Sequence, residues 1–120
     1  MMNKYETIYK KKELPWGREK FYQSFSLLDI EGERNTEDRF KGYKLPYLLN
    51  KNMEVLDIGS NCGFLDLYIS DYVNEVHGLE AEEHLNELSN KIKEDLSIRN
   101  IIFLHENFKK FKTIQKYDLI

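Results

Sequence analysis

The sequence predicts an α/β fold, a parallel sheet with flanking helices, and three observations predict it. Short apolar runs alternate with helical patterns downstream of residue 52. The runs are apolar on successive residues, as strands covered on both faces are. A glycine-bearing turn closes the first of them. Strands alternating with helices imply right-handed crossovers and a parallel sheet. Ligands in such sheets bind at the carboxyl ends of the strands, where the strand order reverses.

The chain divides into a polar, aromatic-rich lead, 1–52, and an α/β part, 53–120. In the lead, Thr36 is the expected N-cap of a helix, with Glu37 and Asp38 in the first turn, where the helix dipole favours acids. Phe40, Tyr43 and Tyr47 would share one face. Pro46 would break or restart the helix near Leu45. The stretch SFSLLDIEGERN ahead of it has no firm period and reads as loop or short strand.

In the second part, Glu54-Val55-Leu56-Asp57-Ile58 is the first strand. Phe64 to Asp71 follows, with Leu65, Tyr68, Ile69 and Tyr72 at helical spacing. Glu75 to Leu79 is the second strand. Glu82 to Ser97 is the clearest helix, because Leu85, Leu88, Ile92 and Leu96 repeat every three to four residues among charges. Ile101 to His105 is the third strand. Tyr117-Asp118-Leu119-Ile120 opens a fourth.

Composition narrows the function classes. Apolar residues are 41% and charged residues 32% of 120, which fits a globular domain. A net charge of −3 offers no general attraction to nucleic acid. The clusters Lys10-Lys11-Lys12 and Lys109-Lys110 read as solvated surface. A single cysteine, Cys62, rules out an internal disulfide and fits a reducing compartment. No run reaches the length of a membrane span, and the N-terminus lacks a signal-peptide core. A cytoplasmic location with no membrane partner is the expectation. His77, His84 and His105 have no metal spacing, so no metal is expected.

Most of the functional information lies in Val55-Leu56-Asp57-Ile58-Gly59-Ser60-Asn61-Cys62-Gly63. It reads as strand, tight turn and helix start. Gly59 and Gly63 let the backbone turn and approach a ligand closely. Asn61 is the residue between them best able to adopt a left-handed conformation. A dinucleotide site needs G-x-G-x-x-G, and here Asn61 and Phe64 stand at the second and third glycine positions. Asp57 would also repel a diphosphate. It suits a ligand carrying an ammonium and a sulfonium, which S-adenosylmethionine does. No Gly-Lys-Ser/Thr follows, so a P-loop is excluded.

Two further signals accompany the turn. Glu80 closes the second strand 21 residues after Gly59, where an acid can accept hydrogen bonds from both ribose hydroxyls. Asn107 follows the third strand, and its amide could bond the exocyclic amine of adenine. Phe108 could pack beside the ring, with Leu79 and Ala81 as apolar wall.

Taken in order, VLDIGSNCG, VHGLE, IIFLHENF and YDLI resemble the motif set of class I S-adenosylmethionine-dependent methyltransferases over residues 53–120. The resemblance implies a Rossmann-like sheet, expected here to be truncated at its fourth strand. It implies that Asp57, Gly59, Ser60 and Gly63 line the methionine moiety, that Glu80 meets the ribose and that Asn107 lies near the adenine. Two positions depart from the family's commoner pattern: Asn61 stands for glycine and Asn107 for aspartate. In this family the segment before the first strand often lies across the cofactor. Arg34, Arg39 and Tyr43 are near enough to do so, and Arg39 could grip the methionine carboxylate in a bidentate pair. The stretch from Leu14-Pro15-Trp16 to Phe21-Tyr22-Gln23 faintly resembles the lead of enzymes that modify the tRNA wobble uridine, without setting a substrate.

The expected reaction is in-line methyl transfer from S-adenosylmethionine to an acceptor oxygen, nitrogen or carbon, in which the protein chiefly supplies position. Neither the acceptor nor a catalytic residue is assigned, since a general base would normally come from beyond the fourth strand. The alternative is a non-catalytic cofactor-binding or interaction fragment. An open sheet edge at the fourth strand would favour self-association.

Overall fold

The computed structural model describes residues 4–10 and 21–120. Lys11, Lys12, Leu14, Pro15 and Trp16 lie outside the described residues.

The sheet follows the expected alternation. Strands β3 (Glu54–Ile58), β4 (Glu75–Glu80) and β5 (Ile101–His105) pair in parallel in the order β3-β4-β5. Val55 stands beside Val76, and Val76 beside Ile101. Helix α4 (Phe64–Ser70) links the first pair and α5 (Glu83–Asp95) the second. Both pack against β4 and β5. On α5, Leu85, Leu88 and Ile92 are buried as the apolar stripe predicts, but Leu96 falls past the helix end and is exposed. The fourth strand is present as one parallel bridge, Leu119 to Val55. Leu119 carbonyl accepts from Leu56 N–H at 2.9 Å, and Asp118 N–H donates to Glu54 carbonyl at 2.8 Å. This places the last segment beside β3, on the side away from β4.

The two sheet faces are dressed differently. Val55, Val76, Ile101 and Phe103 share one apolar core with Phe64, Leu67, Leu85, Leu88 and Ile92 of the helices. Leu56 and Leu79 are buried apart from that core. Over Leu56, the segment after β5 forms a shallow hollow lined by Phe108, Phe111, Tyr117 and Ile120. Tyr117 hydroxyl lies 2.8 Å from His77 Nδ1, and His77 Nε2 lies 2.5 Å from Glu75 Oε1.

The lead is more structured than its sequence pattern suggests. Helix α1 (Lys4–Lys10) packs on α5, with Tyr5 hydroxyl donating to Asp95 at 2.6 Å. Strands β1 (Phe21–Gln23) and β2 (Gly32–Arg34) pair in parallel. They approach so closely at Gly32 that a Cβ there would lie 2.4 Å from the backbone carbon of Gln23. Between them, Phe25 stacks on Phe64 at 5.0 Å, and Phe21 tilts against the same ring at 5.7 Å. Aromatic packing of this kind adds stabilisation beyond simple area burial. It fastens the lead to α4.

Two local expectations for the lead are corrected. Helix α2 (Thr36–Gly42) is capped by Asn35, whose side chain accepts from Asp38 N–H at 2.8 Å, and not by Thr36. Thr36 is fully buried, and its hydroxyl instead donates to Ser24 carbonyl. Phe40, Tyr43 and Tyr47 do not share a buried face: Phe40 is 5% exposed, Tyr43 52% and Tyr47 89%. The chain breaks at Tyr43 and Lys44, where Lys44 takes a left-handed conformation, and restarts as α3 (Leu45–Leu48) with Pro46 in its first turn. That break resets the helical phase, so the spacing carried across it loses its meaning.

Candidate functional site

The turn after β3 is built to expose backbone. Gly59, Asn61 and Gly63 all have positive φ, at 75°, 56° and 80°. A side chain strains the backbone in this region, which glycine and, at less cost than most, asparagine occupy. The Gly59 and Ser60 amides both donate to Leu79 carbonyl, at 2.8 and 2.9 Å, which pins the turn onto the end of β4. The side chain of Asn61 accepts from Cys62 N–H at 2.8 Å. A Cβ placed on Gly59 would meet nothing within 4 Å among the described residues, which leave open space over this turn. Gly63 faces the opposite way: a Cβ there would sit 2.3 Å from the ring of Phe103. Its role in the structure is to admit that ring beneath the turn.

Glu80 is the clamp between strand ends. One carboxylate oxygen accepts from Asn61 N–H at 2.8 Å and the other from Glu82 N–H at 2.9 Å. Its side chain is buried, and its carbonyl accepts from Glu106 N–H at 3.0 Å. The ends of β3, β4 and β5 therefore meet at one residue. Each carboxylate oxygen keeps a further acceptor position for a ligand hydroxyl.

The remaining expected residues lie around this junction. Ala81 is exposed at the start of the β4–α5 turn, and its carbonyl lies 3.0 Å from His105 Nε2. Asn107 is exposed and its side chain accepts from Lys109 N–H at 2.9 Å, shaping the turn after β5. Phe108 beside it is 56% exposed, so a core role for it is excluded. Ser60 is turned inward and buried, and its hydroxyl has no partner among the described residues.

Arg39 acts electrostatically on Asp57 from a different part of the chain. Arg39, on α2, places its guanidinium where its charge favours the ionised Asp57. Two of its nitrogens approach Tyr43 hydroxyl at 3.4 and 3.3 Å, while Nη1 is buried without a partner among the described residues. Burial raises the Asp57 carboxyl above the usual carboxylate range, against a hydrogen bond from Asp66 and the charge of Arg39. Asp66 is raised further, first by burial and then by the charge of Asp57.

Asp66 is the site residue that the sequence pattern hides. An acid in the first turn of a helix reads as a dipole partner in solvent. In the fold it is 0% exposed and packs against Gly78, where a Cβ would lie 2.6 Å from its Oδ2. The glycine in VHGLE is the one sequence signal that could have revealed it. Cys62 is buried, and burial pushes its thiol far up, which removes it as a nucleophile. Among the described residues, no group of His, Cys, Asp and Glu is arranged to hold a metal ion, and no helix is long and apolar enough to cross a membrane.

Residues 33–120 match the family model described as protein-L-isoaspartate (D-aspartate) O-methyltransferase. Among solved structures, the chain is similar to the tRNA (m1A58) methyltransferase of Aquifex aeolicus, with 26% identity, 72% of this chain and 36% of that one covered, and a TM-score of 0.58. It is similar in fold to a SAM dependent methyltransferase from the same organism (22% identity, 62% and 44% covered, TM-score 0.54). Coclaurine N-methyltransferase, solved with N-methylheliamine and SAH, also shares the fold at 14% identity, 80% and 32% covered, and a TM-score of 0.63. The chain spans less than half the length of each of these proteins. No curated protein matches it.

Proposed function

The chain belongs to the protein-L-isoaspartate (D-aspartate) O-methyltransferase family, and from that footing we propose that it forms the S-adenosylmethionine-binding part of a methyltransferase. The observation that carries this reading is the junction of the three strand ends. A left-handed turn with open space over Gly59 faces a buried Glu80 whose carboxylate is held by two amides.

The residues present fit the group. Two side chains near the turn, Ser60 and Arg39, carry buried polar atoms without a partner among the described residues. Asp57 supplies an anion two residues before the turn. Bound there, S-adenosylmethionine supplies a methyl already activated on a sulfonium, so the protein's task is placement. Gly59 leaves the backbone bare for the methionine moiety. Arg39 gives its free nitrogen to the carboxylate of that moiety, and Asp57 faces its cationic end. Glu80 takes the ribose hydroxyls on the acceptor positions its amides leave open. Asn107 and Phe108, exposed at the end of β5, edge the adenine, with Ala81 beside them.

Binding of S-adenosylhomocysteine to the 120-residue chain, followed by calorimetry, tests the reading. One site per chain is expected, and NADH should not compete for it. Displacement by NADH at micromolar concentration, or no heat of binding at all, would overturn it.

A further inference from the structure

We propose that Asp66 is a positioning residue for the cofactor: it holds one proton against Asp57, so that the pair presents a single oriented carboxylate to the cationic end of the bound molecule. The inference rests on the reading of the site above and adds a residue and a proton to it.

The geometry starts from Gly78. Because that strand position has no side chain, Asp66 reaches in from α4 until its Oδ2 lies 2.6 Å from where a Cβ would be. Ser60 Cβ lies 2.9 Å from the same point and closes the space on the other side. Asp66 is fully buried there, and neither of its oxygens meets an N–H or hydroxyl donor among the described residues. A carboxylate so placed would be a buried charge with nothing to balance it, which proteins avoid by keeping the acid neutral. Gly78 stands beside Asp57 in the β3–β4 register, so the acid that fills the space at Gly78 lies next to the carboxyl of Asp57, the polar group it interacts with among the described residues. Two carboxyls can bond only when they share a proton, as paired acids at close quarters do.

Which acid keeps the proton follows from their surroundings. Asp57 is half-buried at the end of β3 and feels the positive charge of Arg39. Asp66 is sealed and feels only Asp57. The other elements packed here present Gly78 from β4 and Phe103 from β5, neither of which titrates. The charge therefore rests on Asp57 and the proton on Asp66. The shared hydrogen bond fixes the orientation of Asp57 beside the open turn.

Two measurements test this on the 120-residue chain. In the first, carboxyl carbon resonances are followed by NMR against pH without cofactor. Asp66 should show the protonated shift at neutral pH, and an ionised Asp66 would overturn the proposal. In the second, S-adenosylhomocysteine affinity is measured against pH for the wild type, Asp66→Asn and Asp66→Ala. Asparagine still donates to Asp57, so that variant should bind within about threefold of the wild type with the same loss of affinity in acid. Alanine removes the donor. Protonation of Asp57 then sets in at higher pH, its charge is lost sooner, and the acid-side loss of affinity moves upward. At neutral pH, binding should fall about tenfold. A role in packing alone would weaken both variants alike and leave the acid limb unmoved, which would sink the proposal. Failure of the wild type to bind would reject the cofactor reading itself, and the NMR titration would then report separately on the proton.

Discussion

Glu80 accepts a hydrogen bond from the backbone amide of Asn61 at 2.8 Å, and so the end of one strand holds the turn that follows its neighbour. The same carboxylate binds the Glu82 amide at 2.9 Å. Replacing Glu80 with alanine should cost cofactor affinity about 1–3 kcal/mol and loosen the turn. Glu80→Gln keeps an acceptor for one amide and should lose less. Calorimetry on both variants checks the order. Equal affinity in wild type and Glu80→Ala would remove Glu80 from the site.

Gly59→Val should abolish cofactor binding while the sheet survives. Among the described residues nothing outside the turn itself lies within 4 Å of the new Cβ, so the branch enters the space proposed for the ligand. Its φ of 75° adds backbone strain of roughly 1–3 kcal/mol. Circular dichroism should show the fold retained, and a binding assay should show no cofactor. A variant that binds normally would mean that this turn serves the fold alone.

Gly63→Ala should fail in the opposite manner. Its Cβ would lie 2.3 Å from the Phe103 ring, so the damage falls on the core. Destabilisation of about 1–3 kcal/mol is expected in urea melts. Phe103→Leu in the same chain should recover part of it. If the double variant is no more stable than the sum of the two changes predicts, the ring is not what Gly63 accommodates.

Acid should release the lead from α4. Burial opposes ionisation of Glu37, but hydrogen bonds from Ser26, from Tyr68 hydroxyl at 2.5 Å and from backbone amides outweigh it, holding its pKa at about 2 against an ordinary 4.5. A depressed carboxyl stabilises the fold fully above the ordinary value, and the contribution fades as pH falls from about 4.5 through about 2. Glu37→Gln should lower stability at neutral pH and flatten its fall across that window. Urea melts at several pH values would show it, and parallel curves for the two proteins would contradict it.

Strands and turn were more legible than the lead, for physical reasons. Glu54–Ile58 and Ile101–His105 are short apolar runs with a glycine or polar residues after them, and such strands show their limits. The left-handed Asn61 could be expected from its place between two glycines. Helix α1 went unforeseen because its buried tyrosines are packed by other elements, Tyr5 against α5 and Tyr9 against the Phe21 ring of β1. The restart at Leu45 was expected from Pro46, but a face shared by Phe40, Tyr43 and Tyr47 was not kept across it, because periodicity assumes an unbroken axis. Asp66 was invisible because nothing local distinguishes an acid in solvent from one sealed against a strand glycine. Only the crossing of α4 over Gly78 creates that environment.

The close approach at Gly32 has a consequence for how this protein can drift through evolution. No substitution fits 2.4 Å from the Gln23 backbone without parting β1 from β2, and those strands flank the rings that grip α4. Its neighbours Glu31, Glu33 and Arg34 are exposed. Lineages descended from a common ancestor should therefore keep this glycine invariant. Selection would purge its variants through failed folding, well before any change in chemistry could be tried.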